Sequence, residues 1–156
     1  MEKELSFKYT QLGHWKELSE TDHALVEAAY NVMDGAYAPY SKFRVGASLL
    51  LEDGTVITGS NQENIAYPSG LCAERVALFF AGANHPDKTV DTLCIVAQGD
   101  LVDTEALLSP CGGCRQVMVE TEKRQNKSFR VILVSQNNVT IVANSAASFL
   151  PLAFGI

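Results

Sequence analysis

Two cysteines in the second half of the chain have the spacing of a metal-binding pair. They occur in Pro110-Cys111-Gly-Gly-Cys114, and residues three apart on the first turn of a helix project to the same side. The same spacing also fits a redox couple, half of a structural zinc knot, or chance. Which of these possibilities applies depends on the other potential metal ligands in the sequence.

A third cysteine, Cys72, stands near the predicted start of another helix, two residues before Glu74. Cys94 lies among apolar residues of a predicted central strand, where a free cysteine behaves as a small hydrophobe. No two of the three histidines share a ligand-like spacing. The pattern therefore favours three thiolates, from Cys72, Cys111 and Cys114, with one open position, which is typical of catalytic zinc sites.

The charged neighbours of this cluster have both chemical and structural uses. Glu74 could remove and redeliver a proton beside the metal, although a carboxylate at a helix start also favours the helix dipole. Three thiolates overcompensate the charge of Zn²⁺, and an arginine that hydrogen-bonds to a thiolate would offset the excess. We expect this contact from Arg75 and leave the role of Arg115 open.

The elements that must position these residues follow the order α-β-β-α-β-α-β-β-α. Periodicity predicts helices over 20–36, from 69–72 to 82, over 112–123 and over 145–150, a hairpin around Asp53-Gly54, and strands over 92–97, 129–135 and 138–143. In the third helix Glu120 and Glu122 are expected to face outward. The order predicts an α/β fold of three layers, α/β/α, with a mixed five-stranded sheet.

Length and charge narrow the class of partner. The chain has 156 residues, and 12 Lys+Arg against 18 Asp+Glu give a net charge of −6, which disfavours a nucleic-acid partner. No apolar run approaches the roughly 20 residues of a spanning helix, and no secretory signal is visible, so we expect no membrane role and a cytoplasmic location. We expect a single domain, with an N-terminal extension over 1–20 and a catalytic domain over 21–156.

Several linked segments of the chain resemble the small, homotetrameric, zinc-dependent cytidine deaminases. The segments are Ala38-Pro-Tyr-Ser-Lys-Phe-Arg-Val-Gly-Ala47, Asn61-Gln-Glu-Asn-Ile-Ala-Tyr-Pro68, Cys72-Ala-Glu-Arg75, Ser109-Pro-Cys-Gly-Gly-Cys-Arg-Gln116 and Leu150-Pro-Leu-Ala-Phe154. The resemblance covers about 24–155. It implies a cytidine deaminase-like fold and a homotetramer with shared active sites.

The resemblance also implies an activity, hydrolytic deamination of cytidine and 2′-deoxycytidine to uridine and 2′-deoxyuridine with release of ammonia. One Zn²⁺ per subunit would be held by Cys72, Cys111 and Cys114. Zinc-bound hydroxide would attack C4 of the pyrimidine, with Glu74 as proton shuttle. Two alternatives stay open: a deaminase of another aminopyrimidine nucleoside, such as a nucleoside antibiotic, and a non-catalytic zinc module in which Cys94 closes a four-thiolate site.

The resemblance implies a set of substrate-binding residues: Phe43, Asn61, Glu63, Tyr67, Ala73 and Phe154. Phe43 would pack against the pyrimidine, and Asn61 and Glu63 would bind the ribose 3′-hydroxyl. Tyr67 would lie near the 5′-hydroxyl, and Phe154 would reach the base of a neighbouring subunit. Ordinary packing for the aromatic residues, and a turn cap for Asn61, are the alternatives.

Overall fold

The computed structural model describes residues 1–155 and is built around a six-stranded mixed sheet. The strands are β1 (Tyr9–Leu12), β2 (Arg44–Leu51), β3 (Val56–Ser60), β4 (Val90–Gln98), β5 (Arg130–Val134) and β6 (Thr140–Ala143). Their order is β1-β6-β5-β4-β2-β3, in which β4 and β5 run parallel and the other neighbours antiparallel. The helices are α1 (Glu20–Met33), α2 (Ala73–Asn84) and α3 (Gly112–Gln125), with 3₁₀ helices at Trp15–Glu17, Tyr67–Ser69 and Ala146–Phe149.

Helices cover both faces of the sheet. Side chains of β4 alternate between the faces: Cys94 and Val96 join the apolar cluster under α1, whereas Leu93 and Ile95 join the cluster under α2 and α3. The predicted three-layer α/β/α arrangement is therefore confirmed. Both helices that carry the candidate ligands lie on the same side of the sheet.

The sheet has one strand more than predicted. The sixth strand, β1, comes from the predicted N-terminal extension and pairs with β6 in the register Tyr9↔Ala143. It is mostly exposed at the edge of the sheet, so its sequence lacks the apolar alternation that marks a half-buried strand. The division into an extension over 1–20 and a catalytic domain over 21–156 stays a prediction, and residue 156 lies outside the described residues.

The helix bounds differ from expectation at several points: α2 runs over Ala73–Asn84 rather than to 82, and α3 continues to Gln125 rather than 123. Helix α1 ends at Met33 rather than at 36, with Asp34 as its C-cap. The predicted terminal helix over 145–150 is the short 3₁₀ helix Ala146–Phe149, which Ser145 caps through a hydrogen bond from Ala147 N. Within residues 1–155, no helix has the length and apolar character needed to cross a membrane.

Helix α1 packs unusually close to the sheet. A Cβ atom added to Gly46 in β2 would lie 2.0 Å from the carbonyl oxygen of Ala29, so only glycine fits this contact. The same helix is tied to β5 by Arg130, which donates to both carboxylate oxygens of Asp22 at 3.0 and 2.8 Å. Asp22 is buried, and this fork supplies the partners that a buried carboxylate needs.

The expectation that Glu122 faces outward is wrong, because this residue is buried. Its Oε1 accepts hydrogen bonds from Phe129 N at 2.9 Å and Ala146 N at 2.7 Å, and its Oε2 accepts from Ser145 Oγ at 2.9 Å and Ala147 N at 3.1 Å. One carboxylate thus joins α3 to the start of β5 and to the last 3₁₀ helix. Glu120 is exposed, as expected.

Candidate active site

The three candidate ligands stand at the starts of two helices. Cys72 is the N-cap of α2, and Cys111 is the N-cap of α3. Cys114 follows on the first turn of α3, and its backbone N–H donates to Cys111 Sγ at 3.5 Å. Both residues at the N-cap positions have extended backbone, so each chain segment turns into its helix directly at a thiol.

The geometry of the three sulfurs fits a zinc ion. Cys72 Sγ lies 3.8 Å from Cys111 Sγ, which lies 3.4 Å from Cys114 Sγ, and all three are within 4.8 Å of one another. Tetrahedral coordination with Zn–S bonds of about 2.3 Å places sulfurs about 3.8 Å apart. The helix N-termini add partial positive charge, which favours thiolates. The donor set and its spacing therefore suit Zn²⁺.

The thiols of Cys72 and Cys114 have pKa values that are shifted in opposite directions. Hydrogen bonds from Cys114, and then from Arg75 and Cys111, lower the pKa of Cys72 to about 5. The same contact with Cys72, together with burial, raises the pKa of Cys114. Arg75 Nη2 lies 3.6 Å from Cys72 Sγ, so the guanidinium stabilises negative charge on this sulfur.

Glu74 occupies the first turn of α2, two residues after Cys72. Its side chain is buried, with a relative exposure of 5%. Burial raises the pKa of Glu74 to about 7, and a hydrogen bond with Cys114 opposes this shift. A carboxyl group is thus held beside the three sulfurs, in a place from which bulk water is largely excluded.

A cavity of about 440 Å³ adjoins Cys72 and Arg75, whereas Cys111, Cys114 and Glu74 lie outside its lining. Five predicted site residues line it: Asn61, Glu63, Tyr67, Cys72 and Arg75. Phe43 is half-buried outside this lining, and Ala73 is completely buried at the start of α2. Phe154 is 89% exposed and lies outside the lining as well.

The side chains of Asn61 and Glu63 hold the loop that precedes β2. Asn61 Oδ1 accepts from Val45 N at 2.8 Å, and its Nδ2 donates to Phe43 O at 2.9 Å. Glu63 Oε2 accepts from the backbone amides of Tyr40 and Ser41 at 3.0 and 3.2 Å. Each side chain keeps hydrogen-bonding capacity beyond these contacts, so a ribose-binding role stays a prediction for both.

The Ser41 hydroxyl and the backbone amides of Tyr40 and Ser41 hold the pKa of Glu63 below its usual range. Glu63 therefore faces the cavity as a carboxylate, which accepts hydrogen bonds from hydroxyl groups.

Arg115, whose role the sequence left open, contacts the backbone around the site. Within the described part of the chain, its guanidinium donates to two carbonyls and one hydroxyl rather than to a sulfur. The neighbouring Gln116 donates to the carbonyl oxygen of Phe154 at 3.0 Å. No spacing rule signals such contacts, because their partners lie in the loop before α3 and in the C-terminal residues.

Cys94 lies on the other side of the sheet from the three ligands. It is fully buried in the cluster under α1, and this burial raises the pKa of its thiol. Over residues 1–155, the cluster of possible metal ligands consists of Cys72, Cys111 and Cys114. The alternative in which Cys94 completes a four-thiolate site is therefore wrong.

Comparison with known proteins agrees with this geometry. Residues 19–129 match the family model of the cytidine and deoxycytidylate deaminase zinc-binding region. The chain is 42% identical over 130 residues to the cytidine deaminase of Sporosarcina psychrophila, covering 83% of this chain and 88% of that protein. It is 47% identical over 96 residues to the cytidine deaminase of Halalkalibacterium halodurans, covering 62% of this chain and 68% of that protein.

The fold has close structural counterparts as well. The crystal structure of a cytidine deaminase from Burkholderia pseudomallei superimposes with a TM-score of 0.71 and 39% sequence identity. The match covers 88% of this chain and 100% of that one.

Proposed function

The chain belongs to the family of deaminases that carry the cytidine and deoxycytidylate deaminase zinc-binding region, and we propose that it converts cytidine and 2′-deoxycytidine to uridine and 2′-deoxyuridine with release of ammonia. One observation carries this proposal: the sulfurs of Cys72, Cys111 and Cys114 meet where α2 and α3 begin, with the buried carboxyl of Glu74 beside them. A redox pair would need two thiols and no carboxyl group. Metal-assisted hydrolysis uses a metal ion that activates water together with a group that carries protons, and both fit this arrangement.

Zinc held by the three cysteines would supply Lewis-acid activation of the attacking water. Glu74 takes the proton that this water loses as its oxygen bonds to C4, and delivers it to N3 of the ring. Glu74 then carries the proton of the new C4 hydroxyl to the amino group as the C4–N4 bond breaks, so that ammonia leaves and the C4 oxygen becomes a carbonyl. Arg75 hydrogen-bonds to Cys72 and offsets part of the negative charge of the thiolates.

The substrate would occupy the cavity next to Cys72. Its lining by Asn61 and Glu63 supports binding of the ribose hydroxyls, and the backbone of Ala73 would orient the pyrimidine amino group. Phe43 is held by Asn61 through its carbonyl oxygen, which supports its proposed contact with the base. Tyr67 also lines the cavity, which supports its proposed place near the 5′-hydroxyl.

We propose further that the enzyme is a homotetramer with shared active sites. Tyr67 is 80% exposed and Phe154 is 89% exposed, and large aromatic side chains at this exposure are candidates for burial against another subunit. Light scattering measures the oligomeric state. Deleting residues 152–156 should raise the KM for cytidine in a chain that keeps its fold, and an unchanged KM would remove the proposed role of Phe154.

The direct test measures zinc content together with conversion of cytidine to uridine. We expect one zinc per chain and stoichiometric ammonia. Glu74→Gln should retain zinc and lose at least the roughly 10²–10⁴-fold that one general acid/base step contributes, whereas Glu120→Gln, an exposed control, should keep full turnover. Near-normal turnover in zinc-loaded Glu74→Gln would falsify the assignment.

A substrate panel of cytidine, deoxycytidine, cytosine and aminopyrimidine nucleoside antibiotics tests the remaining alternative. Preference for an antibiotic nucleoside would replace the proposed substrate while leaving the chemistry unchanged. We also propose a cytoplasmic location, which the four free thiols support because reducing compartments preserve them. Cell fractionation tests this location.

A further inference from the structure

The guanidinium of Arg115 joins two separate parts of the chain. Its Nε donates to the Pro110 carbonyl at 2.8 Å, and its Nη2 donates to Ser109 Oγ at 2.7 Å. Its Nη1 donates to the Phe149 carbonyl at 2.9 Å. The first two bonds fix the loop that leads directly into Cys111. The third fixes the end of the last 3₁₀ helix, immediately before the C-terminal tail, which we define as residues 150–155.

Hydrogen bonds hold the backbone at the start and near the end of the tail, whereas the ring of Phe154 is exposed. Phe149 has a second contact, with Phe7 in the segment that precedes β1. The centroids of the two rings lie 6.2 Å apart. Further along, Gln116 holds the Phe154 carbonyl at 3.0 Å. The Phe154 side chain is nevertheless 89% exposed. The contacts therefore order the path of the tail and leave the ring available.

Three polar side chains that anchor this region belong to α3. Glu122 accepts from the amides at the start of the last 3₁₀ helix, Arg115 binds its end, and Gln116 binds the tail. The same helix begins with the ligands Cys111 and Cys114. A single rigid element thus connects the metal site to the segment that carries Phe154.

We propose that Arg115 is a positioning residue that fixes the C-terminal tail, and with it the Phe154 ring, relative to the Cys111 loop. This inference rests on the proposed function, because it concerns how the tail presents Phe154 for nucleoside binding. The three bonds use three N–H groups of a planar fork in fixed mutual geometry. A lysine ammonium is a point charge on a flexible stem and cannot make the same three contacts from one position.

The test compares Arg115→Met and Arg115→Lys with Arg124→Met, an exposed control on the same helix. Zinc content, kcat and KM for cytidine, and hydrogen exchange of residues 146–155 are measured on zinc-loaded enzyme. Both Arg115 variants should keep one zinc per chain, exchange faster in this segment, and raise KM roughly tenfold with a smaller change in kcat. The Arg124 variant should behave as the unmodified chain.

Three results would overturn the proposal: unchanged exchange in residues 146–155, faster exchange with an unchanged KM, or zinc loss without faster exchange. If Arg115→Met does not fold, Gln116→Ala releases the Phe154 carbonyl alone and should speed exchange only in the tail. The exchange measurement needs no substrate. Failure of the proposed function would appear separately, as zinc-loaded unmodified enzyme that does not deaminate cytidine.

Discussion

Removing the carboxylate of Glu122 should destabilise the protein more than any surface change on the same helix. In Glu122→Ala the buried amides of Phe129 and Ala146 lose their acceptor. Ala147 N is better placed, because it keeps a hydrogen bond to Ser145 Oγ at 3.2 Å. The loss therefore concentrates on two buried N–H groups.

The structure sets the size of the effect. A buried donor left without a partner costs about 1–3 kcal/mol, so two donors cost about 4 kcal/mol. For a chain of this length that corresponds to a fall in Tm of roughly 8–16 °C. Glu122→Gln keeps one acceptor oxygen and should cost about half as much, because its NH₂ group can face the Ser145 hydroxyl, which can rotate to accept.

Thermal and urea unfolding followed by circular dichroism measure these differences, at one fixed protein concentration because association adds to apparent stability. The matched control is Glu120→Ala, which removes an exposed carboxylate from the same helix and should change stability by no more than about 0.5 kcal/mol. Equal stability of Glu122→Ala and Glu120→Ala would refute the reasoning, since it would mean that the four hydrogen bonds contribute nothing.

Three further outcomes follow from the packing of α1 and the core. Arg130→Met should cost about 3 kcal/mol in urea unfolding by leaving the Asp22 carboxylate buried without its partner, and adding Asp22→Asn should recover part of this loss. Gly46→Ala should lower the Tm strongly, because its Cβ would overlap the Ala29 carbonyl; an unchanged Tm would contradict the close contact. Cys94 should resist iodoacetamide at pH 8 in the native protein and react in urea, since burial raises the pKa of its thiol; peptide mass spectrometry reads out both states.

The candidate metal site was predictable because its signals are local. Cys111 and Cys114 are brought together by one helical turn, and Cys72 needed only the further inference that it begins a second helix. The three layers followed from the order of the elements in the same way. Patterns of this kind depend on residues that are close in sequence, so predictions from them do not require knowledge of tertiary contacts.

The features that sequence reasoning missed depend on distant partners. Helical periodicity put Glu122 outward, but a 3₁₀ helix from the C-terminal region covers it and supplies its donors. Nothing in the sequence indicates the contact between Arg115 and Phe149, because Phe149 also lies in the C-terminal region. The exposed residues of β1 become a strand only because β6 offers an unpaired edge. Each case combines an ordinary local sequence with a partner that lies far along the chain.

The pairing of β1 with β6 also constrains the order in which the chain can fold. Among the described strands, β1 comes first along the sequence, yet it pairs with β6, the last one. Closing a loop of almost the whole chain length carries an entropy cost that earlier contacts must reduce. We therefore expect β1 to add late, after β4, β5 and β6 have assembled, so that the sheet is completed at its edge only once its central strands have formed.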